Sequence, residues 1–227
     1  MIALGFDGSR SDDMTVISIS RIRDGRLFAG GAWGRPKELP PEAEWHVPRT
    51  EVDARLADIF EAYRVVGFHG DPWKWQDYLD LWAGRWGSEL VLEFDTSQQR
   101  RMDKAIVRFR DALKNGELTH DGDELLTQHL ADTVVVNGNR KSSREDGDTT
   151  STHYLKLAKK KSTVKIDASV AAVLAHEARA WALEHGALEA ENAGPGIYIF
   201  GDDDFEDDAL DGEDEQPASD DDTDDEE

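Results

Sequence analysis

The sequence predicts an α/β fold, a mixed five-stranded sheet with flanking helices. Three observations predict it: three β-like runs at the start, a helix–strand–helix–strand–helix alternation after them, and a long alanine-rich helix near residue 170. At 227 residues the chain can hold one domain with a substantial core and an appendage.

Residues 2–7 (IALGFD) and 14–22 (MTVISISRI) read as strands, the second rich in β-branched residues. The Asp-Gly step in RDGR (residues 23–26) marks a reversal, and LFAGGAW (27–33) is the return strand of an antiparallel meander. A Pro-rich connection follows. Val52, Leu56, Ile59 and Tyr63 then recur at helical spacing, with Thr50 as the expected cap. Residues 64–70 form a short strand ending at Asp71. Trp75, Leu79, Trp82 and Trp86 make a second helical stripe, residues 89–94 a further strand, and Met102, Ile106, Phe109 and Leu113 a third helix. A helical crossover between strands 64–70 and 89–94 makes them parallel. Residues 124–136 suggest a short helix and strand with weak periodicity, 137–151 a polar loop, 153–159 a strand, and 166–185 the long helix. Residues 195–200 are an apolar island.

The formal charge of −23 is concentrated at the end of the chain. Residues 201–227 hold 17 acids and no base, which leaves 32 acids against 26 bases, a net of −6, on residues 1–200. Such a tail repels itself and buries little, so it is expected to be disordered. The expected organisation is a domain over 1–186, a short extension over 187–200 and the acidic tail over 201–227. There is no cysteine, which excludes disulfides, thiol chemistry and thiolate metal sites. No segment has the pattern of a signal peptide or the length of a membrane span, so a soluble protein with no membrane partner is expected.

Asp7 interrupts the first apolar strand, Asp71 ends the fourth, and Asp167 opens the last helix. Strand ends on one side of an α/β sheet gather ligands. If strand 64–70 lies beside strand 2–7, the three acids can meet. Clustered carboxylates repel one another unless cations compensate, and all-oxygen ligands suit Mg²⁺ or Mn²⁺. Taken singly, each acid is also an ordinary turn or helix-start residue. Their coincidence in one topology favours a shared site. There Asp7 is the candidate to bridge two ions about 4 Å apart, and Asp71 and Asp167 complete the coordination.

The stretches GFDGSRSDDMT, GDPWKWQDYLDLWAGRWG, RFRDALKNGELTHDGDELLTQHL and KIDASVAAVLAHEAR resemble the nuclease domain of phage terminase large subunits, particularly those of actinobacterial phages. The resemblance runs in order from about residue 2 to 185. It implies an RNase H-like fold, a divalent-metal endonuclease cutting double-stranded viral DNA during genome packaging, and products with 5′-phosphate and 3′-hydroxyl ends. Its catalytic and metal-binding acids fall on Asp7, Asp71 and Asp167, with Asp13 preferred to Asp12 as a further metal-site carboxylate. A large terminase normally carries a packaging ATPase, and no GxxxxGK[ST] loop occurs here. A separate ATPase partner is therefore expected, together with the portal and the small terminase subunit, in the host cytoplasm with transient association with the procapsid.

Lys156, Lys159, Lys160, Lys161 and Lys165 form the densest basic segment, preceded by Arg140, Lys141 and Arg144; together they are the candidate surface for DNA phosphates. A solvated face is the plain alternative. His69 is a candidate to share the face of Asp71 or to serve as a packed spectator, and His120 and His129 are candidates to tune the site or to contact DNA. Trp73, Trp75, Trp82 and Trp86 read as packing residues. Other functions compatible with the same residues are an RNase H-like resolvase or repair nuclease and a non-catalytic packaging interaction module. GFDGS also resembles the phosphate turn of sugar kinases and actin-like ATPases, but a second glycine-rich phosphate turn is lacking.

Overall fold

The computed structural model describes residues 1–192 except 12, 41 and 144–148, and only the backbone of 140–143, 149–152 and 190–192. The apolar island, the acidic tail and Arg144 lie outside the described residues, as do the side chains of Arg140 and Lys141.

Strands β1 (Ile2–Asp7), β2 (Thr15–Arg21) and β3 (Leu27–Trp33) form the meander. Helix α1 (Arg49–Ala62) leads to β4 (Val65–Gly70), and α2 (Gln76–Trp86) leads to β5 (Val91–Glu93). The sheet order is β3-β2-β1-β4-β5, with β1 antiparallel to β2 and parallel to β4. β4 and β5 are parallel, as a helical crossover requires. This is the predicted mixed five-stranded sheet with flanking helices, RNase H-like in arrangement.

Alternation along β1 sends Leu4 and Phe6 to one face and Ala3, Gly5 and Asp7 to the other. Phe6 enters an apolar layer with Trp75, Leu79 and Trp82, built on α1 and α2. Phe6 meets Trp75 and Trp82 edge to face at 5.0 and 5.2 Å, geometry that aromatic quadrupoles favour. The opposite face receives α5 (Asp167–Glu184). At Gly5 there is no room for a side chain: a Cβ would lie 2.2 Å from Ala171 O and Ala175 N. Glycine in the strand and alanines on the helix let the two backbones nearly touch. Helix α3 (Gln99–Lys114) closes this layer with Met102, Ile106 and Phe109.

Two local expectations are corrected. Thr50 does not cap α1; the helix begins at Arg49 behind Pro48, whose carbonyl accepts from Glu51 and Val52 N–H. The ring-fixed φ of proline presets that start without a side-chain cap. Residues 137–151 are not a simple polar loop. After α4 (Glu124–Asp132), strands β6 (Thr133–Ser143) and β7 (Thr149–Lys159) pair as a long antiparallel hairpin. Its backbone groups satisfy one another across the ladder, so the segment extends as strand without an apolar pattern. Asp103 on α3 accepts the Leu155 N–H at 2.6 Å and ties the hairpin to the domain. The last described residues form α6 (Ala187–Asn192), with Ala187 packed near Ala178 and Ala182.

Candidate active site

The register of β1 and β4 brings the acids together. Gly5 stands opposite His69 and Phe6 opposite Gly70, and the Asp71 amide donates to Phe6 O at 3.0 Å, so Asp71 leaves the sheet beside Asp7. Asp7 shares its side of the sheet with Gly5 and hence with α5, whose first residue is Asp167. All three acids therefore lie at the carboxyl edge of the parallel strands and on one face.

The loop after Asp7 is fixed. Ser9 and Thr15 exchange two hydrogen bonds, each 3.0 Å, and the Trp75 indole donates to Ser9 O at 3.0 Å. Gly8 has to be small, because a Cβ there would meet the Trp75 ring at 2.4 Å. The DGS triplet is thus both a turn and the mount of an acid.

Asp7 has its pKa raised well above the ordinary carboxylate value, by burial first and then by the charges of Asp167, Asp71 and Asp13; Lys159 acts the other way. The neighbouring charges therefore add to burial in disfavouring the ionised form of Asp7. Asp71 is buried and also raised, mainly by burial, against the hydrogen bonds from the Thr96 hydroxyl and the Trp73 amide. The Trp73 N–H donates to Oδ1 at 3.1 Å, and Thr96 Oγ1 donates to Oδ2. Both oxygens of Asp71 are therefore oriented. Asp167 is buried and raised mainly by burial, and its Oδ2 has no hydrogen-bond partner among the described residues.

Asp13 stands close enough for its charge to raise both Asp7 and Asp167. Its Oδ1 accepts from Lys165 at 2.7 Å and Lys159 at 3.1 Å, chiefly the Lys165 bond lowering its pKa. Two of the five lysines in the basic segment thus face an acid at the rim of the site. Lys156, Lys160 and Lys161 are exposed. Among the described residues no group of three His, Cys, Asp or Glu side chains converges as a formed metal cage.

The histidines separate. His69 is buried against Phe94 with both ring nitrogens lacking a hydrogen-bond partner among the described residues, and burial lowers its pKa to about 3. His129 Nδ1 accepts the Ala168 N–H at 3.0 Å and so caps α5 one residue beyond Asp167. His120 bridges to Leu27 at the far end of the sheet, away from the acids. Trp75 and Trp82 are buried as expected, but Trp73 is not a packing residue: it is 69% exposed. It sits in the loop before α2, outside the helical period that buries its neighbours. Sequence reasoning singled out His129 but not its place as a cap of α5, and it missed Thr96 as a positioning residue. An isolated hydroxyl group carries no periodic signal.

Solved structures share this fold. The large terminase of bacteriophage HK97 superimposes with a TM-score of 0.55 at 21% identity, over 77% of this chain and 38% of that one. The large terminase nuclease from thermophilic phage G20c gives 0.51 at 13% identity, over 78% of this chain and 81% of that one. The chain has the large terminase nuclease fold. It is also homologous to the Gene 13 protein of Mycobacterium phage L5, at 35% identity over 187 residues, which are 78% of this chain and 29% of that protein. It thus spans less than a third of the length of this relative. The terminase nuclease fold and an actinobacterial phage relative are as the sequence resemblance implied. No family profile matches the chain. Among the described residues no helix is long and apolar enough to cross a membrane.

Proposed function

We propose that the chain is the nuclease portion of a phage large terminase, an endonuclease that uses Mg²⁺ or Mn²⁺ to cut double-stranded DNA during genome packaging. The observation that carries this reading is the shared face and edge of Asp7, Asp71 and Asp167, with the Asp7 pKa raised by its burial and by the other two. A turn aspartate has no use for two acidic neighbours.

The residues fit a hard divalent cation. The donors are all oxygen, and the buried Oδ2 of Asp167 is left without a hydrogen bond, a cost that coordination would remove. Two such ions, when bound, supply an activated water, charge at phosphorus and help for the departing 3′-oxygen. Asp7 would hold them from the centre, and Asp71 and Asp167 would complete the set. Thr96 and the Trp73 amide keep Asp71 in a single orientation. Because Asp7 keeps its proton to higher pH than a free aspartate, a bound cation would displace that proton, and cation affinity would rise with pH. Asp13 belongs to the rim in this reading, bonded to Lys159 and Lys165 while its charge acts on Asp7 and Asp167.

Lys156, Lys160 and Lys161, with Arg140, Lys141 and Arg144 before them, would hold the phosphates of a duplex without reading its sequence. In this setting the partners are a packaging ATPase, the portal and the small terminase subunit, and the place of action is the host cytoplasm at the procapsid.

Asp7→Asn tests the proposal. The amide keeps the volume and loses the charge, so cleavage of linear duplex with Mg²⁺ or Mn²⁺ should fall about a thousandfold or more, equivalent to ~4 kcal/mol of barrier. Circular dichroism should show the fold unchanged. Near-normal cleavage by folded D7N would return Asp7 to the role of a turn. Preference for branched DNA over linear duplex would mark a resolvase instead.

A further inference from the structure

The loop that carries Asp71 also carries the most exposed tryptophan described in the chain, and the mechanism above makes no use of its indole. Trp73 is 69% exposed, whereas Trp75 and Trp82 nearby are fully buried. It stands at an open cleft of ≈ 490 Å³ whose walls include Asp71, Thr96 and Ser97. The loop is held in place. The Trp73 amide donates to Asp71 Oδ1 at 3.1 Å. Lys74 has a left-handed backbone, φ 63°, which a non-glycine residue adopts only when its surroundings over-determine it. Arg10, from the loop after Asp7, donates through Nε to Lys74 O at 3.4 Å. The Lys74 ammonium lies 5.9 Å from the centre of the Trp73 ring. A large apolar ring thus stands in water on a held backbone, with Lys74 near its face and Arg10 bonded to the same loop, beside an oriented carboxylate.

A single polynucleotide strand alternates π faces with phosphates, the counterpart of an aromatic ring set among basic side chains. In an intact duplex the base faces are covered by their neighbours, so the ring can engage one only where the strand is locally unstacked. We propose that Trp73 stacks on an unstacked nucleobase of the strand lying in the cleft beside Asp71, while Lys74 and Arg10 take the adjoining phosphates. This rests on the nuclease reading and adds a substrate contact to it: the enzyme grips the strand through a base of any identity as well as through its backbone.

The full chain is tested in EDTA, so that nothing is cut, with three probes: a linear duplex, oligothymidylate, and an abasic oligonucleotide of the same length and charge. Wild type should bind oligothymidylate about fivefold to a hundredfold more tightly than the abasic strand, the range that one base–aromatic stack supplies. Trp73→Ala should remove that difference and leave duplex binding and its salt slope nearly unchanged; Trp73→Phe should keep part of it. Because the indole is exposed, both variants should unfold at the wild-type temperature. If W73A still discriminates thymidylate from abasic DNA as wild type does, the inference is overturned. It also falls, and alone, if wild type binds duplex but binds the two single strands equally. Failure of wild type to bind any of the three would overturn it as well, whereas the nuclease reading is decided separately by the cleavage of duplex by wild type and D7N in Mg²⁺ or Mn²⁺.

Discussion

The two faces of the central sheet are built on opposite principles although the same strands supply both. Against α1 and α2 the sheet presents Leu4, Phe6, Ile17 and Phe68 to Trp75, Leu79 and Trp82, a thick layer filled by volume. Against α5 it presents Ala3, Gly5 and Gly67 to Ala171, Ala175 and Ala178, a thin layer in which backbones approach. Buried ionisable groups follow the same division. Asp71, Asp167, His69, His129 and His176 all lie on or beside the α5 side, and none lies in the thick layer. Both faces bury apolar side chains, Met102, Ile106, Phe109 and Leu174 among them on the α5 side, but the buried ionisable groups are kept to that side alone.

The comparison breaks first on the thick side. Trp82→Ala removes a fully buried indole from a cluster with Phe6, Phe68 and Trp75, and should cost about 3–5 kcal/mol in chemical denaturation. The acids are not touched, so the surviving folded fraction should keep its cation affinity, measurable by Mn²⁺ titration. A lost affinity at full folding would show that the layers are not separable.

On the thin side pH is the sharper tool. Burial, followed by Arg179 and Arg108, lowers the His176 pKa from 6.5 to about 4. The unfolded chain therefore binds a proton that the folded chain refuses between those values. This histidine's contribution is fully present above pH 6.5 and is lost as pH falls toward 4. A His176→Gln variant should lose about 1–3 kcal/mol less than wild type over that interval, read from urea midpoints at several pH values. Parallel curves would show that His176 is not buried as described.

The remaining effect is the most local. Gly5→Ala adds one methyl group where no space exists, 2.2 Å from the backbone of α5, and should cost about 1–3 kcal/mol in thermal unfolding. Relief of the overlap moves α5, and with it Asp167, so G5A should lose cleavage by more than its stability loss explains. W82A, though less stable, should not. Equal specific activity of the two folded variants would deny the division of labour.

Much of this division was legible in the sequence. Helical spacing of Val52, Leu56 and Ile59, and of Leu79 and Trp82, located the thick layer, because burying a large side chain leaves a period behind. Asp7, Asp71 and Asp167 stood out because each occupied a strand end or helix start. The thin layer was harder to read. Gly5 in a strand looks like a weak strand residue until the helix above it is known, and the role of Ala171 and Ala175 is contact at short range. The hairpin of β6 and β7 was obscured because its ladder does not depend on an apolar stripe. Trp73 was misread because composition placed it with Trp75, whereas only residues inside the helical turn inherit its period.

The near-contact of α5 with β1 also fixes how the site can respond to change. Side chains between two elements act as adjustable spacers, since rotamers shift and small gaps close. Gly5 and Ala171 leave no such spacer. The separation between the strand that carries Asp7 and the helix that carries Asp167 is accordingly set by main-chain van der Waals radii, a dimension that substitution elsewhere in the core can hardly alter. Tolerance to mutation and the spacing of the acids are thereby uncoupled: the aromatic layer can drift through many sequences while the gauge between Asp7 and Asp167 stays the same.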